Sequence, residues 1–237
     1  MLKRVIRGAL IALVAVVVTM LVSLEVWYST LLPRQLPEPA TGKLPQSVRE
    51  AFLLENCKEA SLRMRPLYPF FVSWFIGGQD GLCLPTGVAR LHVGELRSHG
   101  IFQREHHLKL LLREIAVATW VSRHWTAQQT VDTYASLVWM GDESYGVQEG
   151  AKMLFARTLD SLSIADAALL IATTRSPKAL SPTCHPDRAL KARNKLLEQL
   201  RGAGVVNESE LRDAVAAPLG VEAPCQDHLA RTSPKSH

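Results

Sequence analysis

From Gly8 to Leu24 the chain carries no charged residue, a run of seventeen positions dominated by valine, leucine and alanine. A helix of that length is just able to cross a hydrocarbon core. Lys3, Arg4 and Arg7 precede the run and Trp27 and Tyr28 follow it, which predicts an uncleaved anchor, basic at its inner end and aromatic at its outer interface. A cleaved signal peptide is the competing reading, but the run is long for one and no small-residue cleavage pattern follows. Residues 29–45 then lose all apolar periodicity and carry Pro33, Pro37, Pro39 and Pro45, the pattern of a semi-extended stalk. Helical order resumes near Gln46. Glu105 to His124 reads as a long amphipathic helix with Leu108, Leu111, Leu112, Ile115 and Thr119 on one face. Thr126 and Gln129 have capping-box spacing and open a helix through Val131, Tyr134 and Val138, for which Gly141 is a natural stop. Ser163 and Asp166 repeat that spacing before Ile164 to Ala172, a helix so apolar that it must lie in a core. Pro177 and Pro182 hold an extended loop, Pro186 suits the first turn of a helix running to about Gly202, and Asn207 with Glu210 caps one more short helix before a frayed tail.

Composition changes this picture in two places. The formal charge of +5 is concentrated at the amino terminus: setting aside Lys3, Arg4, Arg7 and Glu25 leaves 24 basic and 21 acidic residues. That is too even for a nucleic-acid surface, which needs a dense basic face. Roughly 200 residues follow the anchor, enough for one domain with a real core. With the basic residues on the cytoplasmic side, this domain is exported, in a bacterium to the periplasm, so its four cysteines lie where disulfides form. His106 and His107 do not make a metal site, since adjacent residues do not share a helix face and no His or Cys partner has ligand spacing.

The order of elements from Arg113 to Leu190 resembles the second half of the family 51 glycosyltransferases, the peptidoglycan polymerases. Glu114 falls where the family's third motif ends in Glu. Tyr134-Ala135-Ser136, Trp139-Met140-Gly141 and Ser144-Tyr145-Gly146-Val147 stand where the family has Tyr-Leu-Asn, Tyr-Phe-Gly and Gly-Ala-Tyr-Gly. Leu162 to Leu170 resembles Leu-Thr-x-Ala-Glu-Ala-Ala-Leu-Leu, and Ser176-Pro177 through Ser181-Pro182 to Pro186 and Arg188 resembles the fifth motif. The resemblance implies an all-α fold, a lysozyme-like two-lobed helical domain behind a single N-terminal transmembrane helix. It divides the chain into a cytoplasmic tip and anchor (1–28), a Pro-rich stalk (29–45), a glycosyltransferase family 51-like domain (46–217) and a flexible tail (218–237).

The first three motifs are degenerate. The family's essential first-motif Glu is replaced by Asn56 in an ungapped register and its following Asp by Cys57; a one-residue deletion puts Glu55 there instead, and the two registers stay open. Gly81 to Arg90 keeps only the Gly, the apolar spacing and the terminal Ala-basic pair of the second motif. Where the family places Arg and Lys before the third-motif Glu, this chain has Leu110 and Leu111, with Lys109 and Arg113 offset around the helix. The aromatic cluster Tyr68, Phe70, Phe71, Trp74, Phe75 and Ile76 suits either core packing or a surface against the bilayer.

The family's reaction needs a carboxylate to take a proton from an acceptor hydroxyl and cations to offset charge on a departing lipid diphosphate. The resemblance nominates Glu114 and Glu55 (or Asn56 in its place) for catalysis, facing one cleft, and Arg90, Arg113, Tyr134, Tyr145 and Arg175 for substrate binding. No cofactor is called for; a divalent ion at the diphosphate is left open. An amide cannot act as a base, so the favoured reading is a membrane-anchored, catalytically impaired relative that binds lipid-linked peptidoglycan precursor, glycan strands or other cell-wall synthesis proteins, at the bacterial inner membrane with its domain in the periplasm. An active polymerase is the alternative, and an unrelated anchored helical protein a second. Lysozyme-like hydrolysis is weaker, because no carboxyl pair of set separation can be argued. Since the family's first two motifs lie side by side, the resemblance pairs Cys57 with Cys83 and Cys184 with Cys225; four buried free thiols are the alternative.

Overall fold

The computed structural model describes residues 2–59, 61–70, 72, 74, 81–141, 144–221 and 225. Among these the architecture is helical: α1 (Leu2–Leu31), α2 (Gln46–Cys57), α3 (Cys83–Ser98), α4 (His107–His124), α5 (Ala127–Leu137), α6 (Val147–Phe155), α7 (Ile164–Thr173), α8 (Pro186–Gly202) and α9 (Glu208–Ala216). One antiparallel hairpin, β1 (Trp139–Gly141) with β2 (Ser144–Tyr145), interrupts them. The chain forms two compact units, residues 1–38 with 63–130 and residues 39–62 with 131–237.

In the first unit α4 packs against both α1 and α3. The face expected on α4 is therefore too narrow. Leu108 and Leu111 are exposed, whereas Leu110, Ala116, Val117, Ala118, Thr119, Val121 and Ser122 are buried, because a helix gripped from two sides buries more than one stripe and its first turn overhangs. Residues 6–31 of α1 are long and apolar enough to cross a membrane by length and composition. The last turns of α1 nevertheless belong to the unit's core: Tyr28 and Leu31 pack with Phe70 and Ala116, flanked by Leu32, Leu112, Ile115 and Trp120. Arg123 forks onto both oxygens of Glu25 at 2.8 and 2.9 Å, donates to the Leu67 carbonyl, and lies over the rings of Tyr28 and Tyr68. Of the aromatic cluster, Phe70 is core, Tyr68 is exposed over Arg123, and the Trp74 indole donates to Thr119; Phe71, Phe75 and Ile76 lie outside the described residues.

The stalk expected at 29–45 is corrected in two respects. Helix α1 continues to Leu31, and the extended residues after it are fastened rather than free. Pro33 and Pro37 are buried, and the Gln35 carbonyl is 3.0 Å from His92 within the first unit. In the second unit the Ala40 amide donates to the Thr133 hydroxyl and the Leu44 amide to the Asp132 carboxylate. Proline removes chain entropy in an extended segment, but bound amides and buried rings turn such a segment into a strap.

The second unit is built on α7, whose residues from Ala165 to Thr173 are all buried, Leu169 at 1% exposure and Leu170 at 0%. Its Ser163 cap accepts from the Asp166 amide, and α2, α6, α8 and α9 pack around it. Arg193 of α8 is fully buried and donates to the carbonyls of Val215, Ala217 and Pro218, closing the end of α9; burial lowers its basicity against the nearby Asp166 charge. Cys184 and Cys225 form a disulfide across 41 residues, so the start of the segment expected as a flexible tail is tied to the unit; residues 222–224 and 226–237 lie outside the described residues. The capping box at Thr126 is present in full, yet its helix ends at Leu137 instead of reaching Val138. Gly141, expected as a helix stop, has φ +100° and sits in the hairpin with Pro177 against it.

Candidate functional site

The nominated residues fall into both units: Cys83, Arg90, Arg113 and Glu114 in the first, Glu55, Asn56, Cys57, Tyr134, Tyr145 and Arg175 in the second. Each group has its own local construction.

In the first unit the cationic side is largely engaged. Arg113 makes a two-pronged pair with Glu105 at 2.6 and 2.7 Å and donates to the Leu31 carbonyl, with its guanidinium stacked on Phe102 and its side chain 11% exposed. Lys109 also answers Glu105, at 2.9 Å. The Arg113 hydrogen bonds foremost, with burial opposing and Lys109 assisting, hold the Glu105 carboxyl down at about 2. Arg113 thus fastens the end of α1, and a guanidinium with its donors so placed is not a ready diphosphate clamp. Glu114 is half-buried on α4, flanked in sequence by this network but with neither Lys109 nor Arg113 assigned to it. Arg90 is exposed on α3. His106 serves as the cap of α4, its Nδ1 accepting from the Leu108 amide. Among the described residues no cluster of three or more His, Cys, Asp or Glu is placed to hold a metal.

In the second unit the end of α2 carries the first-motif segment. Glu55 projects into protein, 8% exposed, and pairs with Arg175 at 3.3 Å. The Asn56 amide turns back to donate to the Phe52 carbonyl of its own helix, and Lys58 ends the helix in the left-handed conformation while its ammonium reaches the Glu55 carbonyl. Tyr134 meets Phe52 edge-on at 5.0 Å, a packing contact. Cys57 and Cys83 are both disulfide-bonded, and no described cysteine is a free thiol. Tyr145 is exposed on β2 opposite Trp139, with the Lys178 ammonium 5.9 Å from the Trp139 ring. The sequence nominates Tyr145 for binding but Trp139 only as a motif position and Lys178 not at all, because strands of two and three residues are too short to show an alternating period.

Residues 96–201 match the family model described as transglycosylase. This segment resembles the transglycosylase domain of glycosyltransferase family 51. Helices α4 to α8 and the hairpin, which carry Glu114, Tyr134, Tyr145 and Arg175, lie within this transglycosylase match, whereas α2 with Glu55 and Asn56 precedes it. The chain is similar to penicillin-binding protein 1A of Aquifex aeolicus, 29% identical over 128 residues, covering 54% of this chain and 18% of that protein. Penicillin-binding protein 1A of Pseudomonas aeruginosa is 24% identical over 46% of this chain and 13% of its own length. Penicillin-binding protein 4 of Bacillus subtilis is 28% identical over 47% of this chain and 18% of its own. The chain thus spans less than a fifth of the length of these relatives. The crystal structure of penicillin-binding protein 1A from Haemophilus influenzae matches 58% of this chain and 17% of that chain with a TM-score of 0.36 and 16% identity.

Proposed function

We propose that this chain is a membrane-anchored, peptidoglycan glycosyltransferase-like protein that binds lipid-linked disaccharide precursor or glycan strands with its polymerising chemistry impaired. The observation that carries the reading is the pairing of the buried Glu55 carboxylate with Arg175, whose own side chain is half exposed. In the ungapped register the base position is an amide, Asn56, bound to its own helix. In the gapped register it is Glu55, whose Oε1 is paired with the Arg175 guanidinium. Either way no carboxylate on α2 is poised to take a proton, and Arg113, the nominated cation nearest the third-motif Glu114, is occupied by Glu105. In this reading α1 is the anchor of a bacterial inner-membrane protein whose domain lies on the outer face, supported by an apolar run long enough to cross a membrane and by Lys3, Arg4 and Arg7 ahead of it. Other cell-wall synthesis proteins are further partners of such a non-polymerising relative.

The test uses the full-length protein in detergent with radiolabelled lipid-linked disaccharide. Retention of label without polymer is the expected result. Polymer that disappears in Glu55→Gln protein would overturn the reading and establish an active polymerase with Glu55 as its base.

A further inference from the structure

Beside the outer end of α1 the first unit holds a groove of about 520 Å³, walled by Leu32, Leu96, Ile101 and Phe102, with Arg34 and Arg113 as the charged residues of its lining. The turn after α3 that shapes it is held by its own backbone. The Gly100 amide donates to the Arg97 carbonyl, the Ile101 amide to Leu96 and the Glu105 amide to Phe102, at 3.1, 2.9 and 3.0 Å. Phe102 has φ +96°, a conformation costly for any residue with a side chain. It places the ring 4.3 Å from the Arg113 guanidinium and makes it one wall of the groove. Ile101 beside it stays 39% exposed. The groove is therefore preformed, and its apolar wall has no structural use in water.

Helix α1 sets the height of this groove. Residues 6–31 are the stretch able to cross a bilayer, and centred in one they put Thr30, the first lining residue, roughly 17 Å from the midplane at about 1.5 Å per residue. Hydrocarbon ends at about 15 Å and the headgroups at about 20–22 Å. The groove thus opens at the level of glycerol and phosphate. Trp27, a turn below and 39% exposed, suits the same interface. The charge around the groove is one-sided. Arg113 is engaged by Glu105 and the Leu31 carbonyl. Arg34 is exposed at the rim, and Arg97 and Arg104 are exposed beside Leu96 and Phe102 in the chain; among the described residues no ion pair engages any of the three. The acidic residues of this stretch are Glu95, exposed on α3, and Glu105, held by Arg113 and Lys109.

We infer that this groove is a binding site for an anionic phospholipid of the outer leaflet. Its glycerol and upper acyl carbons lie against Leu32, Leu96, Ile101 and Phe102, and its phosphate is met by Arg34, with Arg97 and Arg104 adding positive charge from the turn. Guanidinium suits this role because its planar fork takes two phosphate oxygens at once. A lipid so held bridges the outer end of α1 and the turn after α3, and so fixes the first unit against the membrane surface. The site asks nothing of Glu55, Asn56 or Glu114. It rests on the anchoring part of the proposed function and is independent of the precursor-binding part.

The experiment titrates full-length protein in detergent micelles with dioleoyl phosphatidylglycerol or with zwitterionic dioleoyl phosphatidylcholine, and native mass spectrometry reads the lipid retained. One phosphatidylglycerol should be held about ten-fold more tightly than phosphatidylcholine. Arg34→Gln should weaken it about five-fold, and Arg34→Gln/Arg97→Gln/Arg104→Gln should erase the preference. Lys191→Gln/Lys195→Gln, which removes exposed charge from α8, should change nothing. Ile101→Ser, at an exposed position, should weaken both lipids. Phosphatidylglycerol preference that survives the triple substitution, or equal affinity for the two lipids, overturns the site. Displacement of phosphatidylglycerol by an equal concentration of lipid-linked disaccharide overturns its assignment to a phospholipid. Anchoring is checked separately, with wild-type protein in phosphatidylcholine vesicles washed in carbonate. Release from the vesicles removes the anchor and the inference together, whereas retention alongside a failed titration overturns the inference and leaves the anchor standing.

Discussion

Replacing Arg123 by alanine removes a side chain that joins the outer end of α1 to α4 and to the segment before Phe70. Its side chain is 5% exposed, and its guanidinium donates to Glu25 twice, at 2.8 and 2.9 Å, and to the Leu67 carbonyl at 2.9 Å. The Glu25 carboxylate also accepts from the Phe70 amide at 2.6 Å, so the pair anchors backbone as well as side chain. Breaking a buried pair by deleting one partner costs about 3–5 kcal/mol. Glu25 is 34% exposed and water reaches its orphaned charge, which places the expected loss at the lower end, about 3 kcal/mol. For a chain of this size that is about 6–12 °C of melting temperature, read by tryptophan fluorescence of the full-length protein in detergent micelles. Arg123→Lys keeps the charge but loses the fork and should recover only part of the loss. Glu25→Gln, which still offers Phe70 an acceptor, should cost less than Arg123→Ala. A double-mutant cycle should give a coupling of about 1–3 kcal/mol between the two. Arg123→Ala protein melting within about a degree of wild type would refute the reasoning and reduce the pair to a surface contact.

Leu170→Asp places a carboxylate at a position of 0% exposure among the helices around α7 and should cost several kcal/mol, on the order of 4, leaving no soluble folded protein; a cooperative melt of the purified variant would contradict this. The Glu105 carboxyl, held at about 2 against an ordinary 4.5, contributes stability that is fully present above pH 4.5 and is lost as the pH falls through 2. Glu105→Gln should therefore destabilise the protein at pH 7 and flatten its acid-unfolding profile between those values, whereas an unchanged profile would show that the Arg113 pair contributes nothing. Removing the Cys184–Cys225 bridge by paired serine substitutions opens a loop spanning 41 residues and should lower stability by about 3–4 kcal/mol on the chain-entropy model. Denaturant midpoints measured with and without the bridge check it, and equal midpoints would mean that Arg193 alone holds the end of α9.

The chain's own order dictated whatever depends on residues within a turn or two of each other. Thr126 finds Gln129, Ser163 finds Asp166 and Asn207 finds Glu210 because a helix cap is completed three residues away, and Pro186 opens α8 for the same local reason. The apolar runs of α1 and α7 were equally plain, since continuous hydrophobicity needs no partner to be recognised. The resemblance to the transglycosylases was carried by this local order, and the family match from residue 96 to 201 covers the same stretch. Tertiary structure alone decided what each polar side chain does. Glu25 and Arg123 are 98 positions apart, Arg113 reaches a carbonyl 82 positions away, and Ala40 hangs from Thr133 across 93. The end of α1 thereby becomes core, the proline-rich segment becomes a strap, and Glu55 becomes the partner of Arg175. No periodicity encodes such pairs, because a buried charge takes whichever opposite charge or carbonyl the packing of distant elements brings within hydrogen-bonding distance.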